Sequence, residues 1–326
     1  MPNQHKPANS FKIVIAEPTG FSQEALELLR SQGEVLFAQG PHDQVFRDAD
    51  VVWVRLRDRI DRDFFARAPN AKIIVTATTG VNHIDLQEAD RRGIQVLSLR
   101  GETDFLREIR ATAEHSVGLM LALLRQIPAA VGHVHEGGWN RDLFKGHELH
   151  EKTIGVVGYG RLGSMVARYL LAFGAKVLAA DPNVIGNMLD PHVPLVSLSE
   201  LLRVSDIVTL HVNFTETNVG MIGAREFARM KHGSWFINTA RGELVDQEAL
   251  LVALRSGWIR GAAIDVVADE QAPGAANALV EFARGNPNLL ITPHIGGCTV
   301  ESMEKTEVFM ARKLQAALTA AAVAHA

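Results

Sequence analysis

Cysteine is almost absent from this chain, in which Cys298 stands alone among 326 residues. A single thiol cannot form an intramolecular disulfide, so a reducing compartment, the cytoplasm, is the expected location. The first ten residues are polar and lack the apolar stretch of a secretory signal. They predict a disordered tail rather than a targeting segment.

The chain also lacks a basic excess, long apolar runs and metal-binding spacing. Its net charge is −4, which argues against a dedicated nucleic-acid binder. No run of about eighteen uncharged apolar residues exists, so the sequence predicts no membrane-spanning helix. Neither His133/His135 nor His147/His150 forms the i, i+4 histidine pair with an intervening glutamate that a zinc helix requires, so we expect no metal site.

Short β-branched runs alternate with helical patterns almost throughout the chain. Parallel strands need a crossover segment, so this alternation predicts parallel sheets. The length favours two domains. The predicted strands span 11–15, 51–54, 72–75 and 94–97 in a first series, then 153–157, 176–180, 207–210, 234–237, 261–264 and 289–292 in a second. The second series matches a doubly wound nucleotide-binding domain.

Two long helices predict how the domains are connected. One spans 111–127 and is closed or bent by Pro128, while the other spans 300–318 and follows the last strand. The second helix is long enough to cross back and cover the first domain. We therefore expect a discontinuous domain at 11–110 plus 298–326, and a cofactor domain at 111–297.

A glycine-rich turn carries the clearest functional signal. Gly158-Tyr-Gly160-Arg-Leu-Gly163 follows a predicted strand and opens a helix. The three glycines permit a tight turn, close approach to a pyrophosphate, and helix–strand packing. Free N–H groups at the helix start favour the phosphates. Asp181 ends the next strand, where a carboxylate binds ribose hydroxyls and repels a 2′-phosphate, so NAD is expected rather than NADP.

Charged side chains follow three further strands. They are Arg241, then Asp265, Asp269 and Glu270, then His294. The carboxyl ends of strands in an open α/β sheet form its ligand-binding edge. Two of these residues also have an ordinary explanation, since His294 can be a satisfied loop residue. Arg241 can likewise pair with Glu243 or Asp246.

Together these segments resemble the D-isomer-specific 2-hydroxyacid dehydrogenase family, over roughly 13–318. The resemblance is carried by Ala113-Glu-His115, the glycine turn, Met230-Lys231, Ile237-Asn-Thr-Ala-Arg-Gly242, Asp265-Val266 and Thr292-Pro-His-Ile-Gly296. It implies a Rossmann-type cofactor domain and a flavodoxin-like second domain. It also implies an NAD-dependent enzyme that transfers a hydride between nicotinamide and C2 of a D-2-hydroxyacid or 2-oxoacid.

The resemblance assigns roles to individual residues. His294 would be the acid/base, Glu270 would orient it, and Arg241 would hold the substrate carboxylate. Asp265 would contact the nicotinamide end. The cofactor-binding set implied is Thr112, Gly158, Gly160, Arg161, Leu162, Gly163, Asp181, His211, Thr217, Thr239, Ala240, Arg241, Asp265, His294, Gly296 and Gly297.

The resemblance also implies a substrate loop at Thr79, Gly80 and Val81, whose backbone N–H groups would receive the substrate carboxylate together with Arg241 and His294. An ordinary strand-to-helix turn with Asn82 or Asp85 near the helix start is the alternative. Arg55 and Arg57 end a strand at the same edge. They either add positive charge for an anionic substrate or are solvated.

Two segments depart from the family pattern or suggest a partner. Gln271 replaces the proline usual after the glutamate, and the segment from Leu99 to Arg110 is longer and more charged than typical. That segment either sets substrate choice or is a solvated helix extension. Trp139 and Phe144 lie where the family has a subunit-gripping arm, so the resemblance implies a homodimer. Local packing within one chain is the alternative.

Two other functions remain open from the residues. The first is an NAD(H)-sensing, corepressor-like binding protein on the same scaffold. The second keeps the chemistry but changes the substrate, for example to phosphite. Pocket specificity rests on a few loop side chains, so the sequence does not choose among the acids.

Overall fold

The computed structural model describes residues 11–184, 190–270 and 277–324. Within them the chain forms two compact α/β units. The first unit contains the residues up to Glu108 and those from Thr299 onward, and the second runs from Ile109 to Cys298. The predicted tail over the first ten residues lies outside the described residues.

The first unit is built around a five-stranded sheet in which all strands are parallel. Its strands are β1 (Phe11–Ile15), β2 (Gly33–Phe37), β3 (Val51–Val54), β4 (Ile73–Thr76) and β5 (Gln95–Leu97). Its helices are α1 (Gln23–Arg30), α2 (Arg62–Arg67), α3 (Leu86–Arg91), α4 (Thr103–Leu106) and α12 (Val300–Ala324). The strand order is β2-β1-β3-β4-β5, the flavodoxin-like order, so the predicted fold class is confirmed for this unit.

Strand β2 was not among the predicted strands. It pairs only with β1, at the edge of the sheet, and its residues are half-buried or exposed. The central strands β3 and β4 are buried throughout and therefore read as continuous apolar runs. An edge strand can carry polar residues, and Glu34 interrupts the short apolar run of β2. The hydrophobic pattern of β2 was therefore too weak to predict a strand.

Helix α12 is the final element of the first unit and extends beyond the predicted 300–318. It packs against α1, β4 and β5 and buries Met310, Ala311 and Leu314. The buried carboxylate of Glu307 accepts the N–H of Ser22, the residue that caps α1. A charge-assisted hydrogen bond therefore ties α12 to α1 within this unit.

The second unit contains a six-stranded parallel sheet. Its strands are β6 (Thr153–Val157), β7 (Lys176–Ala180), β8 (Ile207–Leu210), β9 (Ser234–Asn238), β10 (Ile259–Ile264) and β11 (Leu289–Ile291), in the order β11-β10-β9-β8-β6-β7. Its helices are α5 (Ala111–Leu124), α6 (Ile127–His135), α7 (Arg161–Ala172), α8 (Leu198–Val204), α9 (Ala224–Arg229), α10 (Gln247–Arg255) and α11 (Ala278–Gly285). Apolar side chains cover both faces of the sheet.

A short parallel bridge between Ala179 and Leu195 extends the sheet beyond β7. With Leu195 as the third strand position, the first six positions follow the order 3-2-1-4-5-6. This is the order of Rossmann dinucleotide-binding domains. The predicted Rossmann-type architecture is confirmed.

The predicted single helix over 111–127 is wrong. Helix α5 ends at Leu124, and Gln126 adopts a left-handed conformation with φ of 53° before α6 begins. Pro128 lies in the first turn of α6, where a missing backbone N–H costs no helical hydrogen bond. The described residues hold no single helix long and apolar enough to cross a membrane, and α4–α5 with α6 pass that test only as a pair bent by 62°.

Candidate active site

The glycine turn joins β6 to α7, and each glycine meets a different surrounding. Gly158 has φ of 89°, and a Cβ there would lie 2.7 Å from the carbonyl oxygen of His211. A Cβ on Gly163 would lie 1.9 Å from the carbonyl oxygen of Gly158. A Cβ on Gly160 would meet nothing within 4 Å, so the space before the N-terminus of α7 is open. This arrangement fits a pyrophosphate at that helix terminus.

Asp181 lies directly beside this turn. One carboxylate oxygen accepts the N–H of Tyr159 at 2.9 Å, and the other accepts the N–H of Asn183 at 2.9 Å. Each carboxylate oxygen has more than one acceptor site, so both retain capacity for a ribose hydroxyl. The geometry therefore suits the predicted ribose-binding role.

His294 and Glu270 form the central pair of the site. His294 Nδ1 lies 2.6 Å from Glu270 Oε2, and about a quarter of each side chain is exposed. A carboxylate only accepts, so Nδ1 carries the hydrogen and Nε2 is left to exchange a proton. Asp269, the neighbouring carboxylate, does not make this bond. Gln271, the predicted departure from the family pattern, lies outside the described residues.

Arg241 follows β9. Its guanidinium forms no ion pair with Glu243 or Asp246, the two partners that the alternative explanation named. Its Nη1 donates to the carbonyl oxygen of Ala240 at 2.6 Å, and the described residues include no ion pair of its guanidinium. Asp246 instead caps α10 by accepting the N–H of Ala249. Burial lowers the pKa of Arg241, while the charges of Glu270 and Glu243 act in the opposite direction. An arginine remains protonated in either case, so its charge is available to an anion.

The main chain on both sides of Arg241 is fixed by Asn238, whose side chain is buried. Asn238 Nδ2 donates to the carbonyl oxygen of Arg241 at 2.9 Å, and its Oδ1 accepts the N–H of Ala240 at 3.0 Å. The sequence motif contains Asn238, but sequence reasoning gave it no role. Its signal was its position at the end of a buried strand, where an amide has few other uses.

Asp265 is 2% exposed and accepts four hydrogen bonds through its carboxylate. Burial alone would raise its pKa, but these donors outweigh it and hold the pKa below the ordinary value. The donors are His115 Nε2, Thr292 Oγ1 and the N–H groups of Ile295 and Gly296. The carboxylate therefore stays ionised and organises the loop that carries His294.

Thr239 and Thr112, two predicted cofactor residues, are linked through Ser116. Ser116 Oγ donates to the carbonyl oxygen of Thr112 at 2.7 Å and lies 2.7 Å from Thr239 Oγ1. Since serine has one hydroxyl hydrogen, the Thr239 hydroxyl donates to Ser116. This chain joins α5 to the end of β9, and Ser116 was not predicted from the sequence.

The remaining predicted cofactor residues lie at the same edge of the sheet or next to it. His211 is buried, with Nε2 2.9 Å from Thr209 Oγ1, and burial lowers its pKa to about 4. Thr217 is exposed, and its hydroxyl lies 3.0 Å from that of Thr215. Arg161 begins α7 and donates to the carbonyl oxygen of Ile109 at 2.9 Å. The others in this group are Leu162, beside Arg161, and Gly297, beside Gly296.

In the first unit, the predicted substrate loop follows β4. The hydroxyl of Thr78 donates to the carbonyl oxygen of Gly80 at 2.7 Å, which fixes the turn through Thr79. Val81 follows this turn. Asp85 accepts the N–H of Glu88 and caps α3, as the alternative reading of this segment expected. The loop therefore contains a capped helix start next to a turn in which Thr79 is exposed and Gly80 and Val81 are part-buried.

Arg55 and Arg57 both form ion pairs within the first unit, although 45% of the Arg57 side chain is still exposed. Arg55 Nη2 lies 2.5 Å from the buried carboxylate of Glu307. Arg57 Nη2 lies 2.7 Å from Asp58 and donates to the carbonyl oxygen of Ala16. Both charges are neutralised inside the first unit.

The charged segment from Leu99 to Arg110 is not a solvated extension of α5. It contains α4 and buries Leu106, and the Phe105 ring stacks on Phe309 of α12 with ring centroids 4.0 Å apart. Lys313 donates to the carbonyl oxygen of Ser98 at 2.9 Å. Of the two alternatives, the helix extension is wrong, because α4 is a separate helix and the segment contacts α12 through Phe105 and through an ion pair of Glu102 with Lys313. No group of three metal-ligating side chains occurs in the parts of the chain that the structure covers.

Comparison with known proteins places this geometry in a family. Residues 117–296 match the model described as "D-isomer specific 2-hydroxyacid dehydrogenase, NAD binding domain". D-3-phosphoglycerate dehydrogenase of Archaeoglobus fulgidus is 37% identical over 309 residues, which cover 93% of this chain and 56% of that protein. Hydroxypyruvate reductase of Thermotoga maritima is 33% identical, with 93% of this chain and 97% of that protein covered.

Solved structures agree with the sequence relatives. D-lactate dehydrogenase from Aquifex aeolicus, complexed with NAD and lactic acid, superposes with a TM-score of 0.80 at 28% identity. The match covers 95% of this chain and 96% of that one. The chain spans about half the length of the phosphoglycerate dehydrogenases it matches. By motif, geometry and comparison, the chain belongs to the D-isomer specific 2-hydroxyacid dehydrogenase family.

Proposed function

We propose that this chain is an NAD-dependent dehydrogenase that interconverts a D-2-hydroxyacid and the matching 2-oxoacid. The observation that carries the proposal is the His294–Glu270 bond of 2.6 Å. In the same unit, Arg241 has no ion-pair partner in the part of the chain that the structure describes. One group exchanges a proton, and the other binds an anion. A 2-hydroxyacid requires both, because its hydroxyl carbon is adjacent to a carboxylate.

The chemistry follows from what each side chain can do. With NADH held at the glycine turn, the cofactor would supply the hydride for C2 of the 2-oxoacid. His294 donates the proton from Nε2 to the C2 oxygen. Before this transfer, Glu270 stabilises the positively charged imidazolium through its hydrogen bond to Nδ1. Arg241 binds the substrate carboxylate and polarises the C2 oxygen. In the oxidation direction, His294 accepts the hydroxyl proton instead.

The cofactor proposal rests on the glycine turn and Asp181. Gly158, Gly160 and Gly163 leave an open approach to the N-terminus of α7, where N–H groups and the helix dipole favour phosphate. Asp181 beside this turn favours a ribose with free hydroxyls and repels a 2′-phosphate. NAD is therefore the proposed cofactor.

The proposed substrate class is defined by the chemical group that the substrates of the relatives share. The relatives named above act on phosphoglycerate, hydroxypyruvate and lactate, which share a 2-hydroxyacid or 2-oxoacid group. They give no support to a corepressor or to phosphite oxidation. We also propose that the backbone N–H groups of Thr79, Gly80 and Val81 receive a substrate carboxylate.

A homodimer is proposed from an apolar surface on the second unit. Helix α6 buries none of its side chains, and Ile127, Val131 and Val134 are each about half exposed. Trp139, which follows this helix, is 89% exposed. Exposed apolar clusters of this kind mark protein–protein contacts. Phe144, the other predicted anchor, instead contacts the ring of His133 with centroids 5.3 Å apart. The cytoplasmic location remains a prediction.

The test is NADH oxidation with a panel of small 2-oxoacids, including pyruvate, glyoxylate and hydroxypyruvate. Wild type should turn over at least one of them, while His294→Ala and Arg241→Ala should lose turnover and keep NADH binding measured by fluorescence. Undiminished turnover in His294→Ala would overturn the mechanism. Absence of turnover on every acid, with NADH binding intact, would overturn the proposed enzyme.

A further inference from the structure

His115, on α5, contacts the site but has no role in the mechanism above. Its Nε2 lies 3.0 Å from Thr292 Oγ1 and 3.2 Å from Asp265 Oδ1. The side chain is 19% exposed, so most of the ring is shielded from water. The ring thus meets the loop between β11 and His294 from the side of α5.

The direction of these hydrogen bonds follows from the hydrogens available. Thr292 Oγ1 donates its single hydrogen to Asp265 Oδ1 at 2.6 Å. Toward His115, Thr292 can therefore only accept, and the ionised carboxylate of Asp265 also only accepts. The hydrogen between them must lie on His115 Nε2, so His115 is the donor to both groups.

Asp265 passes this fixation on to the main chain around His294. Its backbone carbonyl accepts the N–H of His294 at 2.8 Å. Its carboxylate accepts the N–H of Ile295 at 2.9 Å and the N–H of Gly296 at 2.7 Å. Three successive N–H groups in the loop, starting at His294 itself, are therefore bound to one residue.

The loop needs this fixation because His294 has φ of 54°. A residue with a side chain occupies the left-handed region at a cost, and it stays there only when surrounding bonds hold it. The packing is also tight, since a Cβ on Gly296 would lie 2.8 Å from Asp265 Oδ2 and 3.6 Å from His115 Cδ2. The conformation of His294 thus depends on the groups behind it.

We propose that His115 is a positioning residue for His294. Its Nε2–H group fixes Thr292 and Asp265, which in turn hold the main chain of His294 in the conformation that aims the imidazole. The inference rests on the proposed function. Misplacement of a reacting group by about 1 Å costs about 100-fold in rate, so loss of this donor should slow the chemical step without weakening substrate binding.

The experiment measures single-turnover oxidation of NADH by the best 2-oxoacid of the panel. His115→Leu removes the donor, and His115→Gln restores an N–H at a similar reach. Thr292→Val removes the linking hydroxyl, and Thr292→Ser restores it. Glu114→Gln, at an exposed position of the same helix, is the matched control. Thermal unfolding verifies that each variant is folded.

The expected result is a single-turnover rate constant about 10- to 100-fold lower in His115→Leu and Thr292→Val. The reaction amplitude should be full, and the 2-oxoacid concentration that gives half the maximal rate should be unchanged. His115→Gln, Thr292→Ser and Glu114→Gln should stay close to wild type. The double variant His115→Leu/Thr292→Val should be no slower than the slower of the two single variants, because both changes break the same hydrogen-bonded link between His115 and Thr292.

Two results would overturn the inference. One is a wild-type rate constant with reduced amplitude in His115→Leu and Thr292→Val, which indicates a loss of folded enzyme only. The other is a His115→Gln variant as slow as Thr292→Val, which remains decisive even if His115→Leu does not fold. Absence of turnover in wild type would count against the proposed function instead, so the two failures are distinguishable.

Discussion

Glu270 Oε2 lies 2.6 Å from Nδ1 of His294, a residue 24 positions further along the chain. The two side chains meet because they follow adjacent parallel strands, β10 and β11, whose carboxyl ends share one edge of the sheet. The geometry also selects between two neighbouring carboxylates, since Glu270 and not Asp269 makes the bond. The acid/base assignment of the proposed mechanism depends on this pair.

Glu270→Gln should lower kcat for 2-oxoacid reduction by about 10-fold or more. An amide oxygen can still accept from Nδ1, but it has no charge to stabilise the imidazolium. The measurement is steady-state kinetics, with KM for NADH expected to stay within about twofold of wild type. Asp269→Asn is the matched control, and a larger loss in that variant would contradict the assignment.

Arg241→Lys should raise KM for the 2-oxoacid and lower kcat/KM by about 10- to 100-fold, because a charged hydrogen bond contributes about 1.5–3 kcal/mol. Lysine keeps the charge but lacks the planar fork that matches a carboxylate. NADH affinity, measured by fluorescence titration, should change little. Arg225→Lys, at an exposed position on α9, should behave as wild type. Equal kinetics for Arg241→Lys and Arg225→Lys would contradict the proposal that Arg241 binds the substrate.

Gly160→Ala and Gly163→Ala should fail in different ways. A Cβ at position 160 meets open space, so the variant should fold normally while its NADH dissociation constant rises about tenfold or more, a loss of about 1.4 kcal/mol. A Cβ at position 163 would lie 1.9 Å from a backbone oxygen, so this variant should lose about 1–3 kcal/mol of stability.

Calorimetry and titration of the two glycine variants separate these effects. A Gly160→Ala variant that binds NADH like wild type would show that no phosphate approaches this position.

His211 should make the stability of the protein depend on pH between about 6.5 and about 4. Burial lowers its pKa to about 4 in the folded state, so the unfolded chain binds a proton across this range and the folded chain does not. The free energy of unfolding should therefore fall as the pH drops from 6.5 toward 4, by up to about 3 kcal/mol from this residue.

Urea unfolding at a series of pH values, comparing wild type with His211→Asn, measures this contribution. The slope between pH 6.5 and 4 should be shallower in the variant. Equal slopes in the two proteins would assign the pH dependence to other groups.

Several elements could not be read from the sequence because their causes are not local. Strand β2 has too little burial to produce an apolar run. The break between α5 and α6 lies at the left-handed Gln126 and not at Pro128, where the sequence predicted it. The charge of Arg55 looked available, but a carboxylate on α12, 252 positions away, neutralises it. For Arg55 the deciding partner is remote in sequence.

By itself, the sequence determined the alternation of strands and helices, the glycine turn with Asp181, and the polar residues that follow the strands. These signals are local, because a turn, a strand end and a helix start each lie within a few residues. Only the tertiary structure decided which side chains meet. It paired His294 with Glu270, left Arg241 without an ion pair among the described residues, and placed His115 against the loop that carries His294, since hydrogen-bond partners are chosen by distance in space and not along the chain.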